Sequence, residues 1–374
     1  MRCVWVLLVV WTCLPGCNRD ASAKTPPAAA VTHERVDVHL HADPELYEVV
    51  MRMGVNVGIQ RWVNLSGGTL REDLRHNLAA ARPFGGRILN CTNLDWALMK
   101  HPDFGDRMAA ELNAAASLGA VCLKVPKALG LGVADPQGKL LAVDDARLDV
   151  VWRAAGANKM PVFIHVADPK AFWQPLDKNN ERYDELIIHP RWSFADARYP
   201  KRETLLAQFE RMLGRNPATT FVGVHFGNDP EDVAATDRRM DAYKNLWIDT
   251  AARVGEIGRT PPEKLRAFFV KHQDRILFGT DLGVTNGGLM LGSSDDKEPT
   301  FKDAWRFFAL HWRFFETADA NIPHPTPIQG RWNVNAINLP PAVLKKFYWD
   351  NALRLLRWPA VAPMKPLPPV PPDL

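Results

Sequence analysis

Two histidines stand two residues apart on a short apolar stretch, Arg35-Val36-Asp37-Val38-His39-Leu40-His41. On a strand, side chains alternate between faces, so residues i and i+2 point the same way. His39 and His41 can therefore converge on one point, and a pair of imidazoles suits Zn, Fe, Ni or Cu. The pair alone is a weak signal. It gains weight because other apolar runs end in residues of the same chemical kind: Lys124 in the run 120–125, His165 closing 161–166, His225 closing 219–226, Asp249 closing 246–250 with Arg253 just beyond, and Asp281 after Ile276-Leu277-Phe278-Gly279-Thr280. Metal ligands and acid–base groups on the ends of different strands can meet over one opening, and that is where barrel enzymes carry their chemistry.

The elements that must bring these residues together alternate along the chain. Strands are expected at 36–41, 55–63, 87–92, 120–125, 161–166, 219–226, 246–250 and 275–280. Helices are expected near 44–53, 69–82, 104–118, 145–158, 201–214, 230–243, 262–272 and 341–357. Pro161-Val162-Phe163-Ile164-His165 and Thr220-Phe221-Val222-Gly223-Val224-His225 are apolar on both faces, as in parallel sheets covered by helices. Eight strands each followed by a helix predict an α/β chain folded as a (β/α)8 TIM barrel; a doubly wound sheet is the alternative. Insertions at 167–200, after strand 5, and 282–340, after strand 8, lie where lids would cover the strand ends.

The termini read differently. Arg2 and the apolar run Val4–Trp11 form an export signal too short to be a permanent span. The run reaches Leu14-Pro15-Gly16-Cys17, which resembles the lipobox of bacterial lipoproteins, with Pro15 an unusual choice at its place. That resemblance implies cleavage before Cys17 and a lipidated N-terminus, so residues 1–17 would be the signal and 18–34 an Ala/Pro-rich tether. The barrel would span 35–358, followed by a Pro-rich tail at 359–374. Cys91 and Cys122 remain on two strand candidates, as buried thiols or, in an exported protein, as a disulfide that spacing cannot assign. The composition, 47% apolar and 24% charged with a net charge of +4, is globular and carries no basic tract, which argues against nucleic acid as a partner.

The strand ends as a set resemble the amidohydrolase superfamily, in its amidohydrolase-related branch of metal-dependent hydrolases and decarboxylases. The likeness rests on Asp37-Val38-His39-Leu40-His41, Ile164-His165, Val224-His225-Phe226-Gly227, Phe278-Gly279-Thr280-Asp281 and Trp349-Asp350-Asn351-Ala352. It implies that His39, His41, His165 and Asp281 bind one divalent ion, expected to be Zn2+, with His225 beside it as a second-line ligand or a hydrogen-bonding electrophile. Three neutral imidazoles and a carboxylate leave such an ion a position for water, which marks a catalytic rather than a structural site. Asp281 could accept the water's proton, while His225 could polarise a carbonyl.

Lys124 has three readings: an ammonium for substrate, a carboxylated bridge between two metals, or a structural group. Arg253 could clamp a substrate carboxylate or serve as a salt-bridged loop arginine. Asp37 orients a neighbour or shapes the first turn. The expected function is a metal-activated water attacking the lactone, ester or amide carbonyl of a small molecule, with non-oxidative decarboxylation of an aromatic or unsaturated acid as the alternative. A non-catalytic, ligand-capturing barrel lipoprotein is the rival from another class; its mark would be missing ligands, and none is missing. The membrane enters only through the N-terminal lipid, on the extracytoplasmic, periplasmic side. Nothing in the sequence speaks to oligomeric state.

Overall fold

A computed structural model of the chain describes residues 34–293 and 297–371. The signal, Cys17 and most of the tether lie outside the described residues. Among the described residues, no helix is long and apolar enough to cross a membrane.

Eight strands run parallel in sequence order: β1 (Val36–Ala42), β2 (Arg61–Asn64), β3 (Ile88–Asn93), β4 (Cys122–Val125), β5 (Val162–Ile164), β6 (Phe221–Gly223), β7 (Leu246–Asp249) and β8 (Ile276–Leu277). Two backbone bonds close the ring from β1 to the chain after β8. Val38 N–H donates to Phe278 O at 3.0 Å, and Asp281 N–H donates to His39 O at 2.9 Å. The ring is therefore the expected TIM barrel.

Inside it, Val36, Val38, Val63, Leu65, Leu89, Phe163, Val222 and Leu277 fill the lumen. A larger apolar shell between strands and helices holds Leu40, Trp62, Leu123, Ile164 and Phe221. Asn351 caps the short β8 by donating to Gln273 O and Ile276 O at 2.7 and 2.8 Å.

Most expected elements fall within a few residues of their places; helix Phe104–Leu118 matches its expected range. The stretch 55–63 differs. Helix Tyr47–Val57 runs into it, because Val50, Met53, Gly54 and Val57 recur at helical spacing on a buried face, and Gly58 ends it in the left-handed region at φ 79°. The strand is thus only Arg61–Asn64. Within the second insertion the chain adds a hairpin, β9 (Leu282–Thr285) and β10 (Gly288–Leu291), that continues the sheet beyond β1. Helix Phe301–Glu316 follows it. The tail from Pro359 carries no regular structure over its described residues, yet it is held to the barrel: Val370 is buried and exchanges hydrogen bonds with Asn56.

Cys91 and Cys122 are in register on β3 and β4 and form a disulfide in the barrel interior. A covalent loop of that length, with 31 residues of separation, removes unfolded-state entropy worth about 3–4 kcal/mol in the chain-entropy account.

One irregularity positions the chemistry. Asp37 and Leu40 on β1 pair with Trp62 and Asn64 on β2, so three steps on β1 face two on β2. The extra residue is a bulge at Val38–His39. Val38 points into the lumen with Val36, and after the bulge His39 and His41 also turn inward, where strict alternation would have sent them to the outer face with Asp37.

Candidate metal centre

Three local devices aim the side chains at the barrel mouth. The bulge turns His39 and His41 inward. After β6 the chain enters a left-handed turn, with His225 at φ 56° and Phe226 at φ 61°, and Asp281 sits at φ 64° after β8. Such conformations cost about 1–3 kcal/mol each and persist only where the surroundings impose them. Here they do: His225 N–H donates to Asp249 Oδ1 at 2.8 Å, and Asp281 N–H to His39 O. Gly279 permits the approach of β8, since a Cβ there would meet the His39 Cβ at 2.9 Å.

His39, His225 and Asp281 offer ligand atoms within 4.8 Å of one another. His41 joins them: His39 Nε2 and His41 Nε2 each lie 3.3 Å from Asp281 Oδ1. Outer partners fix the imidazoles. His39 Nδ1–H donates to Asp249 Oδ2 at 2.8 Å, between two fully buried side chains. His225 Nδ1–H donates to Ala251 O at 2.9 Å, and His41 Nδ1 bonds Ser66 Oγ at 2.6 Å. A carboxylate or carbonyl on Nδ1 forces the tautomer in which Nε2 carries a lone pair, the usual support of a metal-binding histidine. His39 Nε2 is buried and has no hydrogen-bond partner among the described residues. A buried, aimed lone pair facing a carboxylate fits a divalent cation.

Electrostatics agrees. Burial lowers the pKa of His39 and sends that of His225 well below its ordinary value. Burial alone would raise Asp281, but His39, His41 and His225 outweigh it and hold the carboxyl well below the usual range. Burial brings Lys124 down to about 8, against the pull of Asp281 and Asp249. Asp37 is raised to about 7 by burial although Thr280 and the His39 N–H donate to it; it braces the turn that carries Asp281.

His165 was expected among the ligands and His225 beside them. His225 stands in the group with His39 and Asp281, and His165 gives its Nε2–H to Asp168 Oδ1 at 3.1 Å, which leaves the lone pair on Nδ1. The acceptor is the buried carboxylate three residues after His165. The two rings still touch, with centroids 4.3 Å apart. His225 cannot donate a hydrogen bond from Nε2 while its proton is on Nδ1, which argues for a ligand rather than an electrophile. Arg253 is buried and bonds Asp168 at 3.4 Å, while its Nε has no partner among the described residues. Lys124 lies buried at the same mouth. Asp249, a strand end without an assigned role in the sequence, binds both His39 and the His225 backbone. Its signal was present in its position; its partners were not. Ser66, Asp168 and Lys127 carried no such signal.

The family model described as Amidohydrolase matches residues 36–358. No curated protein matches the chain. Among solved structures, an uncharacterised TIM-barrel protein from Bordetella bronchiseptica aligns with a TM-score of 0.52 at 15% identity, covering 87% of this chain and 99% of that one. The 2,6-dihydroxybenzoate decarboxylase from Rhizobium gives 0.52 at 16%, covering 87% and 99%. A dihydroxybenzoic acid decarboxylase from Polaromonas sp. JS666, with bound manganese and the inhibitor 2-nitroresorcinol, gives 0.52 at 16%, covering 87% and 97%. Likeness at such identities shows a shared fold.

Proposed function

From the premise that the chain belongs to the amidohydrolase family, and so is an enzyme, we propose that it hydrolyses a lactone, ester or amide of a small molecule bearing a carboxylate. The observation that carries this reading is Asp281: an ionised carboxylate 3.3 Å from two imidazole nitrogens, its side chain 16% exposed toward the mouth. We assign His39, His41, His225 and Asp281 as donors to one divalent ion, with Zn2+ our choice for neutral nitrogen and carboxylate ligands. Such an ion supplies Lewis acidity and lowers the pKa of water from about 15.7 toward about 7. Asp281 then takes the proton from the attacking water through the oxygen not shared with the imidazoles and passes it to the leaving group. It is the one carboxylate in this group of donors. Lys124 and Arg253, cations at the mouth, bind the substrate carboxylate.

Those same cations favour a second reading, loss of CO2 from an aromatic or unsaturated acid. The barrel it shares with two dihydroxybenzoate decarboxylases is compatible with it. Asp281→Asn tests the proton-transfer role, and wild-type turnover separates the two readings. With metal saturating, hydrolysis of lactones, esters or amides by the variant falls by about 10²–10⁴, the worth of a positioned proton-transfer group. Full recovery with excess metal would leave Asp281 a ligand only. Wild-type turnover of aromatic acids with release of CO2, and of no ester or lactone, would replace hydrolysis by decarboxylation.

We further propose export and lipid anchoring through Cys17 on the periplasmic side. The signal-like N-terminus and the Cys91–Cys122 disulfide, a bond of oxidising compartments, support this reading.

A further inference from the structure

The buried carboxylate beside the metal centre has no part in the reaction described so far. Asp168 follows β5 by four residues, and its side chain is 3% exposed. It gathers groups from three strand ends. Oδ1 accepts from His165 Nε2 at 3.1 Å, after β5, and from Arg253 Nη2 at 3.4 Å, after β7. Oδ2 accepts from Lys127 Nζ at 2.6 Å, after β4.

Asp168 is itself held from both sides. Its backbone carbonyl accepts from the buried Arg202 at 2.8 Å. Lys127 is clasped by rings of the first insertion, 4.8 Å from the Trp192 centroid and 5.6 Å from those of Phe172 and Phe194. Cation–ring contacts of this kind strengthen as water is excluded.

We propose that Asp168 is the positioning residue of the mouth: it fixes His165 as the Nε2–H tautomer, with Nδ1 as the free acceptor beside His225, holds Arg253 toward the substrate, and is locked by the ring-clasped Lys127. The geometry makes the alternative, simple charge balance, insufficient. Balance needs only one negative charge nearby, whereas here a single oxygen is shared between His165 and Arg253 and the other is reserved for Lys127. Each partner reaches the mouth from a different strand, so one carboxylate coordinates three loops. A carboxylate on a histidine N–H sets both tautomer and ring orientation, and a misplacement of about 1 Å at a catalytic mouth can cost about 10²-fold in rate.

The catalytic consequence rests on the hydrolase reading; the geometry does not. The test is therefore double, on the full chain saturated with Zn2+. Asp168→Asn leaves one acceptor oxygen for three donors. Long-range 15N–1H spectra of histidine-labelled protein, with His165 assigned by His165→Gln, are expected to show Nε2–H in the wild type and loss of that tautomer in Asp168→Asn. The same variant is expected to lose kcat well beyond twofold, up to about 10²-fold for groups displaced at the mouth.

An unchanged His165 tautomer overturns the proposal. So does a changed tautomer with kcat within twofold of wild type, which would leave Asp168 shaping the loop alone. If Asp168→Asn does not fold, Lys127→Met, which keeps the packing among the rings, decides: a kcat loss beyond twofold supports the lock, and wild-type kcat overturns it. A wild-type protein inactive on every ester, lactone and amide would fail the hydrolase reading, and the tautomer measurement would still stand.

Discussion

Replacing Asp249 by Asn should close the metal centre without unfolding it. In the wild type Asp249 Oδ2 accepts from His39 Nδ1 at 2.8 Å, while Oδ1 accepts from the backbone N–H of His225 and Ala251 at 2.8 and 3.2 Å. An amide is nearly isosteric, and its oxygen can keep the two backbone donors, so the turn after β6 survives. Its NH2 group must then face His39 Nδ1. A donor cannot face a donor, so His39 shifts its proton to Nε2, where Asp281 Oδ1 waits 3.3 Å away. The nitrogen that should carry a lone pair for the ion becomes an N–H satisfied by the neighbouring ligand.

The expected loss is that of an outer partner, 10–100-fold in metal affinity, or about 1.4–2.8 kcal/mol. Chelator competition measures it directly. Thermal unfolding provides a second view, because bound metal stabilises by RT ln(1 + [L]/Kd). The metal-free variant should melt close to the metal-free wild type, and its rise with excess metal should shrink by about the same 1.4–2.8 kcal/mol. An affinity within threefold of wild type would refute the tautomer argument, and a collapse of the metal-free form would show that Asp249 is chiefly structural.

The proposed place of His225 among the donors is equally open to measurement: His225→Ala should lower metal affinity more than His165→Ala does, and the reverse order would put His165 in its place. Lys124, lowered to about 8 by burial, is cationic below that pH and neutral above it. KM for a carboxylate substrate should therefore climb about tenfold per pH unit above 8, since only the charged form binds. Lys124→Met should abolish this limb and raise KM at pH 7 by about 10–150-fold, the worth of a hydrogen bond to a charged group; a pH-independent KM in the wild type would remove Lys124 from substrate binding. Mass spectrometry of the exported protein should find an acylated Cys17 at its N-terminus, and an unmodified terminus within residues 18–30 would leave simple secretion.

The sequence by itself determined the architecture and the inventory. Doubly apolar runs such as 161–166 and 219–226 fit a sheet covered on both faces, and their regular alternation with amphipathic segments predicts a parallel barrel, with a doubly wound sheet as the alternative that the closed ring then removed. The same strand ends named His39, His41, His165, His225, Asp249 and Asp281 before any contact was known. Periodicity is local, so it survives in the sequence.

Which face a residue takes, and what it touches, is not local. His39 and His41 share a face by spacing, but only the register of β1 against β2, with its extra residue at Val38–His39, turns that face inward. Helix Tyr47–Val57 overran an expected strand because β-branched residues fit either element until packing chooses. Cys91 and Cys122 became a disulfide through the pairing of β3 with β4, which no spacing encodes. The ring nitrogens that His165 and His225 keep free were decided by acceptors distant in sequence or in loops, Asp168 for one and Ala251 O for the other. A histidine's tautomer, and with it the atom it offers to an ion, belongs to its outer partner, and that partner exists only once the barrel has closed.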